Sequence, residues 1–158
     1  MTTFYCPACW TEVPEGSSTC PACGRSLLPS NEDLIDKLIA ALRHPEPTRA
    51  ALAVQILGSM LSEPRAILPL IDLIGSAQDA YVLKYAVEAL GRFADARAAP
   101  ALRQLLLTPT TPLVVRIASV DALARLSGEA AQTALALALR DPNATVRQHA
   151  REALRQRV

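Results

Sequence analysis

Leu57, Leu90 and Leu123 are spaced thirty-three residues apart, each inside a similar run: Ala53-Val54-Gln55-Ile56-Leu57-Gly58, Ala86-Val87-Glu88-Ala89-Leu90-Gly91 and Ser119-Val120-Asp121-Ala122-Leu123. A fourth copy, Ala150-Arg151-Glu152-Ala153-Leu154, follows after thirty-one. A repeat of this length constrains the fold strongly, because one such unit cannot bury its own apolar face and must stack on neighbours. The last copy shows the layout of a unit. Asp141-Pro142-Asn143 joins a backbone-bonding side chain, a fixed φ and a residue tolerant of left-handed backbone, so it reads as a sharp turn. Thr145 is expected to cap the helix that follows, with Val146, Ala150, Ala153 and Leu154 on its buried face and Gln148, Arg151, Glu152 and Arg155 pointing elsewhere.

The same layout runs through residues 30–158. Ser30-Asn31-Glu32-Asp33 supplies a cap and an acidic first turn for a helix carrying Leu34, Ile35, Leu38, Ile39 and Leu42, which His44-Pro45-Glu46-Pro47 ends. A partner helix is expected from Thr48 to Leu61. Three further pairs follow: Pro64 to Ser76 with Tyr81 to Phe93, Arg97 to Leu107 with Leu113 to Leu126, and Glu129 to Arg140 with Thr145 to Arg157. Pro69 and Pro100 fall early in their helices, where a missing amide costs little. Thr108-Pro-Thr-Thr-Pro112 reads as a stiff surface link. With 51% hydrophobic but only 4% aromatic residues, the core must be built from Ala, Leu, Val and Ile, which suits close-packed helices. The expected fold is mostly α, a solenoid of about four helix pairs.

All four cysteines lie in a separate segment, residues 1–29, as Cys6-Pro-Ala-Cys9 and Cys20-Pro-Ala-Cys23. Two such pairs across a short polar loop can bring four thiolates to the corners of a tetrahedron, the geometry zinc accepts. Four thiolates leave no open coordination position, so Zn2+ held by Cys6, Cys9, Cys20 and Cys23 is structural rather than catalytic. Iron uses the same ligands, and paired disulfides are the remaining reading. A segment this short and poor in large apolar groups cannot fold by burial alone, so metal binding is expected to fold it. Trp10 is expected to pack within the segment or on the first helix, with a partner contact as the alternative.

Phe4 to Leu28 resembles the short zinc ribbons of bacterial and archaeal proteins. Glu12-Val13-Pro14-Glu15-Gly16 matches their connecting turn and Cys20-Pro21-Ala22-Cys23-Gly24 their second knuckle, while Trp10 stands where the first knuckle has Gly. The helical array resembles HEAT repeats, particularly the short bacterial kind also seen in phycobilin lyase subunits. Asp141-Pro142 with Val146-Arg147, Val115-Arg116, and the Ala-Val-x-Ala-Leu-Gly run at 86–91 carry that resemblance. It implies that the Asp and Arg positions stabilise the turns and link successive units. The third unit has Thr110 near the Asp position, the second has Leu83 where Arg is expected, and in the first Arg49 is one position early.

Stacked second helices are expected to line a concave wall carrying Gln55, Glu88, Asp121 and Glu152 in one column and Ser59, Arg92, Arg125 and Gln156 in the next. Glu88 with Arg92 and Asp121 with Arg125 read as helix-supporting pairs. The functional alternative is a mixed-charge groove of Lys84, Tyr85, Glu88, Arg92, Asp121 and Arg125 that takes a protein or peptide. Nucleic-acid binding is not expected: the net charge is +1, the cysteine-bearing segment is acidic, and the arginines near the end, Arg151, Arg155 and Arg157, have no interleaved aromatic rings. His44 and His149 read as surface residues. With no secretory signal and no long apolar run, a soluble cytoplasmic protein without a membrane partner is expected. No phosphate loop, triad or carboxylate pair suggests an enzyme. The expected function is therefore a non-enzymatic adaptor or scaffold. A bilin lyase-like subunit acting on another protein, or a HEAT protein that binds nucleic acid, are the alternatives that the resemblance implies.

Overall fold

The computed structural model describes residues 4–27, 34–77 and 79–156. The expected cap at Ser30–Asp33, the boundary between residues 29 and 30, and Arg157 lie outside the described residues. Among them, eight α-helices follow a two-stranded ribbon: β1 (Phe4–Tyr5), β2 (Glu12–Val13), α1 (Leu34–Ala41), α2 (Pro47–Gln55), α3 (Ile67–Ser76), α4 (Ala80–Phe93), α5 (Ala99–Leu107), α6 (Leu113–Arg125), α7 (Glu129–Ala138) and α8 (Ala144–Arg155). The expected helix pairs are all present. None of these helices is long and apolar enough to cross a membrane.

Each pair forms a hairpin, and the second helices stack side by side: α4 packs on α2 and α6, and α6 on α8. Small residues set how closely they approach. A Cβ placed on Gly91 would lie 2.9 Å from both Cα and Cβ of Ala122, and one on Gly58 would overlap Ala89. The two contacts are one period apart, so the same small-on-small joint is used twice. Around it, Leu57, Leu70, Leu90, Leu102, Leu106, Leu123 and Leu135 are fully buried and form one continuous aliphatic core.

Helix ends depart from expectation in four places. Asn143, not Thr145, caps α8: its Oδ1 accepts from the amides of Thr145 at 2.9 Å and Val146 at 3.3 Å. Its own amide donates to Asp141 Oδ1 at 2.8 Å, which holds Asn143 extended rather than left-handed. The second helix of the first pair does not reach Leu61 as an α-helix, but widens at Ile56–Met60 into a π turn in which the Leu61 amide donates to Ile56 O at 2.9 Å. Short 3-10 turns at Pro64–Ala66 and Ala96–Ala98 precede α3 and α5, leaving Pro69 and Pro100 inside the first turns, as expected.

One ion pair ties two units together. Arg116 on α6 reaches Asp141 in the turn between α7 and α8, and its Nε also donates to Leu106 O at 3.0 Å. Both side chains are buried. Arg147 donates to the carbonyls of Asp141 at 2.6 Å and Pro142 at 2.8 Å, closing the same turn from its other side. These residues therefore stabilise the last turn and join it to the third unit.

Candidate metal centre and groove

The N-terminal segment is two copies of one knuckle, fourteen residues apart. The Cys6 amide donates to Thr11 O at 2.9 Å and the Trp10 amide to Cys6 O at 2.8 Å; the Cys20 amide donates to Arg25 O at 2.8 Å and the Gly24 amide to Cys20 O at 2.9 Å. Strand pairing repeats as well, since Tyr5 opposite Glu12 corresponds to Thr19 opposite Ser26. Trp10 has φ 59° and Gly24 has φ 73°, so Trp10 adopts the left-handed backbone that glycine takes in the second copy. The two knuckles read from the sequence, Cys6-Pro-Ala-Cys9-Trp10 and Cys20-Pro-Ala-Cys23-Gly24, are thus the same in backbone despite the Trp-for-Gly difference.

The knuckles bring all four Sγ atoms within 4.8 Å of one another. Cys6 and Cys23 are 3.6 Å apart, as are Cys9 and Cys20. A tetrahedron with metal–sulfur bonds of about 2.3 Å has edges of about 3.8 Å, whereas a disulfide needs about 2.05 Å. The donor set therefore fits a tetrahedral thiolate-bound metal. The inner ligands Cys6 and Cys20 are buried, while Cys9 and Cys23 face out. The thiols compete for charge: the Thr11 hydroxyl, 3.4 Å away, and the Thr11 amide hold Cys9 down to about 6, while the Arg25 amide lowers Cys23 but the Cys9 thiol pushes it up, to about 12. A divalent cation resolves that conflict by letting all four stay ionised.

Trp10 joins this centre to the array. Its ring lies 4.1 Å from the His44 ring, centroid to centroid, at 50°. Of the two readings of Trp10, packing at the end of the first helix is the arrangement seen, although the indole Nε1 is buried with no hydrogen-bond partner among the described residues. His44 is correspondingly half-buried rather than a surface residue. Its Nδ1 accepts from the Glu46 amide at 3.0 Å, and burial, with the Arg49 charge second, holds its pKa below the usual 6.5.

On the array, α4 and α6 frame a cavity of about 630 Å³ lined by Lys84, Glu88, Arg92, Asp121 and Arg125, with Leu113, Val114 and Ile117 as its apolar part. Five of the six residues singled out for a groove thus meet at one place. Tyr85 is the exception: it is half-buried against the core, with Lys84 Nζ 5.2 Å from its ring centroid. The expected pairing along the helices is not the one formed. Glu88 pairs with Lys84 at 2.7 Å, because Arg92 crosses to the Ser59 hydroxyl on the neighbouring unit. Asp121 faces His149 Nδ1 at 3.1 Å rather than Arg125, so His149, read as a surface residue, also bridges units. Arg92 and Ser59 occupy equivalent positions one period apart, whereas His149 lies about one turn before Glu152, the equivalent of Asp121, so the repeat does not say which partner each charge takes. Leu113 and Val114 were missed because apolar residues occur all round α6, between Arg116, Asp121 and Arg125, so none of them stands out as outward-facing.

The family described as HEAT repeats matches residues 35–114, just over half of the chain. Among curated proteins none matches the chain.

Proposed function

The chain belongs to the HEAT-repeat family, and on that basis we propose that it is a non-enzymatic adaptor that binds another protein through the α4–α6 groove, with a structural zinc ion folding the N-terminal knuckles. The observation that carries this reading is the groove itself: apolar and charged side chains together on two stacked helices, where a partner can bury apolar surface and be oriented by charge. The cluster of four cysteines supports a structural role for the metal, because four protein sulfurs complete a tetrahedral shell and leave no position for substrate. Zinc suits this donor set, and when bound it supplies no chemistry beyond holding the four sulfurs in place. The chain's own contribution is the Cys6, Cys9, Cys20 and Cys23 arrangement and the amides that aim at it, such as Ala8 N, 3.4 Å from Cys6 Sγ.

The direct test is affinity capture with the intact chain, quantified against a chain carrying Val114→Asp in the groove. The adaptor reading expects a protein retained by the wild-type chain and lost with the variant, whose helical circular dichroism should be unchanged. Retention of nothing, together with turnover of a small molecule by the purified protein, would overturn it.

A further inference from the structure

The charges in the groove are not equally satisfied. Each carboxylate of the inner column already has a partner within the chain: Glu88 has Lys84 at 2.7 Å, Asp121 has His149 at 3.1 Å, and Glu152 accepts from Gln148 Nε2 at 3.0 Å. The guanidiniums do not. Among the described residues, Arg92 meets the Ser59 hydroxyl and no carboxylate, and Arg125, exposed at the last residue of α6, has no carboxylate partner. Arg92 and Arg125 are one period apart, so they occupy equivalent places near the C-terminal ends of adjacent, parallel helices. The opposite end of the same surface is apolar: Tyr81 is 72% exposed, Leu113 41% and Val114 45%. Tyr81 is one period before Val114, so it holds the equivalent place in the first turn of α4.

The groove is therefore polarised along the helix axis. From Val114 to Arg125 is eleven residues, or about 16 Å at 1.5 Å per residue, a span that about five residues of extended chain cover. Building on the adaptor reading, we propose that the α4–α6 groove takes an extended acidic segment of a partner protein. Two carboxylates sit on Arg92 and Arg125, and an aliphatic side chain about five residues away lies against Tyr81, Leu113 and Val114. Guanidinium forks suit this role because they can bind carboxylates bidentately. Because the two guanidiniums lie at one end and the exposed apolar side chains at the other, the acidic residues belong at one end of the segment.

Fluorescence anisotropy on the intact, zinc-loaded chain tests this with labelled peptides carrying one leucine and, about five residues away, two aspartates, made in both chain directions. Matched peptides have asparagine or lysine in place of aspartate. The aspartate peptide in one direction should bind at least about tenfold more tightly than either counterpart, weakening as salt rises. R92Q/R125Q should abolish that preference, V114D should weaken binding of the same peptide, and R155Q, away from the groove, should change neither. Equal binding of the asparagine peptide, or a preference surviving in R92Q/R125Q, overturns the proposal. Self-association of the wild-type chain that R92Q/R125Q removes also overturns it, since the occupant is then a second copy. The two readings fail separately: if R92Q/R125Q still captures the partner of the wild-type chain, the acidic-segment proposal falls and the adaptor stands, whereas a wild-type chain that retains nothing and turns over a small molecule overturns the adaptor.

Discussion

Arg116 and Asp141 bring opposite charges into a layer that is otherwise aliphatic, and each is held by further bonds: Arg116 to Leu106 O, Asp141 to the Asn143 amide. Removing one partner leaves the other buried and unpaired, which costs about 3–5 kcal/mol. Asp141→Ala should therefore lower the urea-unfolding free energy by about that much, and adding Arg116→Met should recover part of it; strictly additive losses would mean the pair is not coupled. His44 behaves differently because burial favours its neutral ring. With the folded pKa below the usual 6.5, its contribution is complete above pH 6.5 and is lost as pH falls through the lowered value. NMR titration should place His44 below 6.5, and Trp10 fluorescence should follow the same transition, since the rings touch. A midpoint at or above 6.5 would refute this.

The second helices depend on two glycines for their spacing. Gly91 has no room for a Cβ because Ala122 backbone lies against it, so Gly91→Ala must push α4 and α6 apart, at about 1–3 kcal/mol by thermal or urea unfolding. An unchanged midpoint would show that the joint relaxes freely. Gly75, with nothing within 4 Å of an added Cβ, is the control. The knuckles form the other separable element. Chelation should unfold residues 4–27 and change Trp10 emission while most of the helical circular dichroism persists, because the large buried cluster lies in the array and the small one is only Cys6, Val13 and Cys20. Elements of this kind were legible in the sequence to different degrees. Helix positions followed from the leucine period and the prolines. The π turn at Ile56–Met60 did not, because it lies where Gly58 meets Ala89 of the next unit, whereas the Asn143 cap is local and agrees with asparagine's preference for that position, which the choice of Thr145 passed over.

At the level of the whole molecule, the period of thirty-three carries the architecture, and the family match over residues 35–114 agrees with it. The cysteine cluster was equally plain from Cys6, Cys9, Cys20 and Cys23, whose sulfurs meet as their spacing implies. The groove was half legible. Its charged residues could be projected from the repeat, but their pairing could not: Arg92 to Ser59 and Asp121 to His149 are decided by how closely neighbouring helices stack. The same closeness leaves Arg92 and Arg125 unneutralised by carboxylates and gives the surface its direction. Hydrogen–deuterium exchange of the intact chain, alone and bound to its captured protein partner, tests the central claim that this surface is the working part. Protection should rise along α4 and α6 and leave the outer helices α3 and α5 unchanged; protection confined to α3 and α5, or to residues 4–27, would contradict it.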